Sequence, residues 1–234
     1  MAHQLFVLSA GAARAVVLAL KSDFEATGET ALRTTFGAVG AMRDQWANGV
    51  ACDVLILSAK LIDGLIGAAK IDATTRVSLG RVRTGIAVRA GAPVPAIANA
   101  SEISQAFLAS TAIYLPDPER ATAGIHCVDV LRRLGVLAAV QPRLRAYPNG
   151  AIAMGELAAS GDPRAIGCTQ VTEILYTEGV VLAGTLPAGF ELNSEYVAAV
   201  VTDAREPDLA RRFVRQLGSE ATLAARRAGG FEAR

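Results

Sequence analysis

Two rhythms of apolar and polar positions run along this chain. Short apolar runs such as Leu5-Phe6-Val7-Leu8 and Val54-Leu55-Ile56-Leu57 are each followed by small or polar residues and then by an amphipathic stretch. That succession predicts parallel strands covered by helices, an α/β fold. The first unit reads as a strand over 5–8, a helix from Ala13 to Thr27, a strand over 31–36, a helix through Trp46, a strand over 54–57 and a helix over 61–69. From Arg81 the texture changes, with a long strand over 82–89 that leads away and ends at Gly91-Ala92-Pro93. Helices are expected over 101–110, 127–134, 151–159 and through Leu175, with strands over 112–115, 165–168 and 180–182. A return strand over 196–201 and closing helices over 208–217 and 220–228 complete the pattern. Crossings near Arg83-Thr84 and Asn193-Ser194 therefore predict a discontinuous lobe (1–83 with 195–234) and an inserted lobe (84–194). That topology places a ligand cleft between lobes, at the carboxyl ends of the strands.

Composition narrows the partner classes. Half of the 234 residues are apolar and a fifth charged, which supports a sizeable core and argues against disorder. A net charge of +1 with few aromatics gives no case for nucleic acid, and no run of apolar residues is long enough for a membrane span. Cys52, Cys127 and Cys168 lack metal-type spacing and read as buried thiols; neither a metal nor a cofactor is expected. Met1-Ala2-His3-Gln4 enters the first apolar run without a basic leader. As it stands the sequence predicts a cytoplasmic protein, or a periplasmic one from which a signal peptide has been removed.

The chemistry-bearing stretch is Asp117-Pro118-Glu119-Arg120-Ala121-Thr122-Ala123-Gly124-Ile125-His126, where small residues bring bare backbone to a helix start. The first N–H groups of a helix have no internal partner and sit at the positive end of the peptide dipoles, so backbone alone can hold an anion there. The same device recurs after Ser9, where Gly11 and Ala12 open a helix, and after Phe36, where Gly37, Ala38 and Gly40 do so. Gly11, Gly37, Gly40 and Gly124 are expected to supply positive φ or close backbone approach. The implied ligand is small and anionic.

These features together resemble the type II periplasmic binding-protein superfamily, in its molybdate-binding branch. The resemblance rests on the small-residue loop over 9–13, Phe36-Gly37-Ala38-Val39-Gly40, Cys52-Asp53-Val54-Leu55-Ile56-Leu57-Ser58-Ala59, Asp117-Pro118 with Ala123-Gly124, Leu134-Gly135 and Gly230-Phe231. It implies an α/β, two-lobed fold with the ligand between lobes and, for an exported protein, an ABC transporter permease as partner. It departs from the branch where hydroxyls should meet the oxyanion. The serine positions fall on Ala12 and on Ala38 or Val39, and the tyrosine position on Gln170. What remains around the implied site is Ser9, Gly11, Gly37, Gly40, Ser58, Thr122, Ala123, Gly124, Asn149, Thr169 and Gln170, a set that suits a carboxylate.

The branch is also similar to aconitate isomerase, which implies a second reading, double-bond migration in an unsaturated di- or tricarboxylate. For that chemistry Arg83 is a carboxylate anchor, with Lys60, Arg81 and Arg89 as further cations. His126, placed in the first turn of its helix, is the proton carrier, and Glu173 a general base if buried near it. The bland alternatives are a helix-end histidine bonded to backbone, a surface arginine and a first-turn glutamate. A binding protein and an isomerase both remain open on the sequence.

Overall fold

A strand–helix alternation governs the computed structural model, which describes residues 3–26 and 30–232. The expected end of the first helix at Thr27 lies outside the described residues. Contacts divide the chain into one unit of Met1–Val82 with Ser194–Arg234 and a second of Arg83–Asn193.

In the first unit β1 (His3–Ala10), β2 (Thr30–Gly37) and β3 (Val54–Ser58) are parallel, ordered β2-β1-β3. Between them run α1 (Arg14–Ala26), α2 (Val39–Ala47) and α3 (Ala59–Gly67), the connections that parallel strands require. The chain then leaves along β4 (Val77–Arg89).

The second unit holds α4 (Ala100–Ala109), β5 (Ile113–Pro116), α5 (Thr122–Arg133), α6 (Leu137–Val140), β6 (Leu144–Tyr147), α7 (Gly150–Ala159), β7 (Ile166–Gln170), α8 (Val171–Tyr176) and β8 (Val180–Thr185). Its strands are ordered β4-β7-β5-β6; β5 is parallel to β6 and β7, while β4 is antiparallel to β7 and β8. β9 (Asn193–Val200) brings the chain back, antiparallel to β3, and α9 (Pro207–Leu217) and α10 (Leu223–Ala228) end it.

Each unit has its own apolar interior. In the first, Leu55, Ile56 and Leu57 of β3 are fully buried, because a central parallel strand is covered on both faces. Phe24 of α1 meets Phe213 of α9 edge-on at 5.0 Å between ring centres. In the second, Ile86 and Val88 of β4, Phe107 of α4 and Leu131 of α5 share one cluster.

Several elements differ from the sequence reading, among them α6, which it lacks. α5 starts at Thr122 rather than Cys127, since Thr122, Ala123 and Gly124 are small enough to wind directly beneath the exit of β5. β4 begins at Val77, ahead of the expected Val82. β6 was absent from the pattern because Arg145 and Ala146 are exposed and leave no apolar run.

All three cysteines are free and buried. Burial pushes the Cys52 thiol up to about 12, and its Sγ donates to the Val54 carbonyl at 3.2 Å. Cys168 is raised by its contact with the Cys127 thiol and by burial. Iodoacetamide at about pH 8 should therefore modify the native protein far more slowly than the unfolded one. The thiolate deficit alone gives roughly a thousandfold for Cys52. Peptide mass mapping checks this; rapid native labelling of Cys52 would contradict it.

Candidate functional site

Parallel strands end together, and this brings the candidate residues to two sheet edges, one per unit. In the first unit Ala10 pairs with Gly37 and Ser9 with Ile56, so the ends of β1, β2 and β3 share one edge. Ser9, Gly11, Ala12, Gly37, Ala38, Gly40 and Ser58 all lie there. The helical turn at Gly11–Ala13, α2 and α3 start at this edge without a side-chain cap: Ala10 and Ala38 have no polar group to offer, and Ser58 makes no capping bond. Their leading N–H groups are therefore left for another partner. Ser9 is fully buried and its hydroxyl donates to the Ala10 carbonyl at 3.0 Å.

None of Gly11, Gly37, Gly40 and Gly124 has a positive φ, which corrects that part of the expectation. Close approach is the reason for two of them. A Cβ on Gly37 would come within 2.6 Å of the Met42 side chain, and one on Gly124 would press into the carbonyls of Pro116 and Asp117.

In the second unit Pro116 pairs with Tyr147, and Tyr114 with Gly167, so β5, β6 and β7 also end on one edge. Thr122, Ala123, Gly124, Asn149, Thr169 and Gln170 lie on it. Because β4 is antiparallel to β7, its Thr84 faces Gln170 across the pair. The starts of α5 and α7 differ. α5 follows Ala121 with no side-chain cap, so its N–H groups are open. α7 is closed: Asn149 Oδ1 accepts from Ile152 N–H at 2.9 Å. Glu173 closes it further, accepting from the N–H groups of Gly150 and Ala151. The same carboxyl accepts from Thr169 Oγ1 at 2.6 Å and from the Gln170 N–H. Asn149 and Thr169 thus serve the protein's own helix start, and Glu173 is a buried carboxyl set among protein donors.

Glu173 is buried, and burial pushes its carboxyl above the usual carboxylate range in spite of those donors. A raised acid favours the protonated form on folding. Its stabilising contribution is complete below the unfolded value and is lost as pH rises through the folded one. The stability of the parent relative to Glu173→Gln should therefore fall as pH is raised from about 4, by at most about 1.4 kcal/mol per pH unit for one proton. Thermal melts over a pH series measure it. A relative stability that rises with pH would mean the donors outweigh burial.

His126 is the fifth residue of α5, outside its first turn, because the helix starts at Thr122. Its Nε2 lies 2.8 Å from the Phe190 carbonyl, which can only accept, so the proton sits on Nε2 and the basic atom of the neutral ring is Nδ1. Arg83 is exposed, with Nη1 3.4 Å from Thr185 Oγ1, and its place on β4 turns it to the face opposite its neighbour Thr84. Lys60 and Arg81 are exposed as well.

Two residues escaped the sequence reading. Thr84 and Thr172 are 1 % and 2 % exposed, and neither hydroxyl has a partner. Gln170, 3 % exposed, has neither its Oε1 nor its Nε2 bonded. A signal for Thr84 existed: it is a polar position between Val82 and Ile86 on one face of β4. Among the described residues no group of three or more His, Cys, Asp or Glu is placed to hold a metal ion, and no helix is long and apolar enough to cross a membrane.

Residues 5–232 match the family model for bacterial extracellular solute-binding proteins. The chain is similar to the periplasmic molybdate-binding protein of Azotobacter vinelandii, with a TM-score of 0.80 and 18 % identity, over 98 % of this chain and 99 % of that one. It is similar also to the sulfate-binding protein SubI from Mycobacterium tuberculosis H37Rv, with a TM-score of 0.76 and 18 % identity over 99 % and 87 % of the two chains. An aconitate isomerase from a Pseudomonas species is 24 % identical over 224 residues, 92 % of this chain and 82 % of that protein. The fold is thus that of the type II periplasmic binding proteins.

Proposed function

We propose, from the premise that the chain belongs to the family of bacterial extracellular solute-binding proteins, that it binds a small organic anion, a carboxylate in preference to molybdate. One observation carries this reading: α2, α3 and α5 all begin at strand ends without a side-chain cap, whereas α4 and α7 are each capped by an asparagine. Open N–H groups gathered at strand ends are anion receptors. With Ala12, and Ala38 or Val39, where hydroxyls would meet a tetrahedral oxyanion, planar carboxylate oxygens on backbone amides are the better match. The anion contacts proposed are, in the first unit, the backbone of 10–12 and 37–40 with Ser58 and, in the second, the backbone of 122–124 with Gln170. In this reading the protein delivers its ligand to an ABC transporter permease outside the cytoplasm.

Thermal denaturation against molybdate, tungstate, sulfate, phosphate, citrate, malate and the aconitates tests it. A ligand at a hundredfold excess over its dissociation constant adds about 2.7 kcal/mol, or roughly 5–10 °C for a chain of this size. We expect the shift from one or more carboxylates. A shift from molybdate or sulfate with none from any carboxylate would reverse the ranking.

The similarity to aconitate isomerase favours a second reading, isomerisation of an unsaturated di- or tricarboxylate. There His126 is the residue that would move the proton, through Nδ1, since Nε2–H is held by Phe190. Incubation with cis- or trans-aconitate, followed by proton NMR, decides it. Turnover that falls on the order of a hundredfold in His126→Gln establishes the enzyme, and an unchanged isomer ratio with the parent excludes it.

A further inference from the structure

Four unpartnered polar atoms, on three side chains, belong to the strand-end edge of the second unit. They are the Thr84 hydroxyl, both amide atoms of Gln170 and the Thr172 hydroxyl. Thr84 and Gln170 are direct cross-strand partners, and Thr172 follows Gln170 by two residues in the first turn of α8. All three side chains are at least 97 % buried. Buried polar groups are ordinarily bonded, and a static core that left four atoms bare would give up a sizeable share of a domain's stability. Glu173, next in the chain, shows the ordinary outcome, with its carboxyl fully engaged.

We infer that Thr84, Gln170 and Thr172 form a specificity subsite for a ligand group that donates as well as accepts a hydrogen bond, so that the ligand is a hydroxy acid. The inference rests on the carboxylate reading above and names its class. Gln170 decides it. Nε2 can meet an anionic oxygen, but Oε1 accepts only and would face it repulsively. Sulfate, molybdate and a simple ionised carboxylate offer acceptors alone, and none of them can donate to Oε1. A hydroxyl satisfies both kinds of group: it donates to Oε1 and accepts from Nε2 or from a threonine. An ammonium fits less well, because the neighbouring carboxyl, Glu173, is already enclosed by protein donors.

Calorimetric titration at neutral pH with pairs that differ by one hydroxyl tests the subsite: malate against succinate, and citrate against tricarballylate. A site built around a hydroxyl rejects the analogue without it strongly, so the parent should favour the hydroxy member of at least one pair by about a hundredfold or more. Gln170→Met should reduce that preference at least tenfold. Thr84→Val, close in shape and an independent route should the first variant fail to fold, should reduce it too. Carboxylate binding with equal affinity in every pair, or a preference unchanged in both variants, overturns the subsite and leaves the carboxylate reading standing. Binding of sulfate or molybdate with no carboxylate bound overturns both.

Discussion

Gly124→Ala will lower the melting temperature by roughly 6–12 °C and weaken ligand binding at the same time. A Cβ at this position lies 2.8 Å from the Asp117 carbonyl carbon and closer still to the carbonyl oxygens of Pro116 and Asp117. Those atoms are backbone at the exit of β5 and cannot swing aside as a side-chain end would. Relief requires α5 to move off the strand end. Overpacking of this kind costs about 3 kcal/mol, at the upper end of the usual range, and that loss converts to the stated shift. The binding loss follows from the proposed reading, in which the uncapped start of α5 contacts the ligand. Gly155→Ala, on the exposed face of α7 with nothing within 4 Å, is the control. Alanine is the better helix former, so that variant should be neutral or gain up to about 1 kcal/mol. Equal melting of Gly124→Ala and the parent would mean that α5 does not depend on this close approach.

Asp53→Ala should have an effect of similar size on stability alone. The side chain is fully buried and accepts from three backbone N–H groups: Phe6 at 2.8 Å, Arg205 at 2.7 Å and Glu206 at 3.3 Å. Its own main chain is paired on both sides, N–H to the Phe6 carbonyl and C=O to the Val201 N–H. One carboxylate therefore fastens β1 and the start of α9 to the head of β3. Alanine leaves three partly buried donors without that acceptor. Because water reaches some of them, the loss is about 2–4 kcal/mol rather than a full penalty for each. The Asp53→Asn variant keeps one acceptor oxygen and should lose less. Urea unfolding of the two variants measures the difference, and limited proteolysis near Arg205 should speed up in Asp53→Ala. Stabilities within about 0.5 kcal/mol of the parent in both would show the cluster to be dispensable.

The apolar rhythm alone was enough to read the α/β class, because a run such as Val54 to Leu57 is intelligible only as a strand covered on both faces. The small-residue junctions before α2 and α5 were legible for a related reason: a helix start without a capping side chain is written directly in Ala38 and in Ala121 to Gly124. β6 was not legible. It is an outer strand of its sheet whose Arg145 and Ala146 face solvent, and pairing with β5, rather than composition, makes it a strand.

Among the candidate site residues, sequence supplied the positions and tertiary structure supplied the partners. Asn149, Thr169 and Glu173 all looked like ligand or catalytic groups from their places after strands. Folding turns them on each other and on the first turn of α7, since a buried carboxyl takes whatever donors lie within reach. His126 had the right chemistry but an undetermined proton; the Phe190 carbonyl, distant in sequence, fixes it on Nε2. The pairing of Thr84 with Gln170 could not be read locally at all. Antiparallel register between β4 and β7 sets it, and only burial there makes an unbonded amide informative. Hydrophobic pattern and backbone geometry are local properties that the sequence encodes position by position. Which polar groups satisfy one another depends on distances that exist only once the sheet has formed.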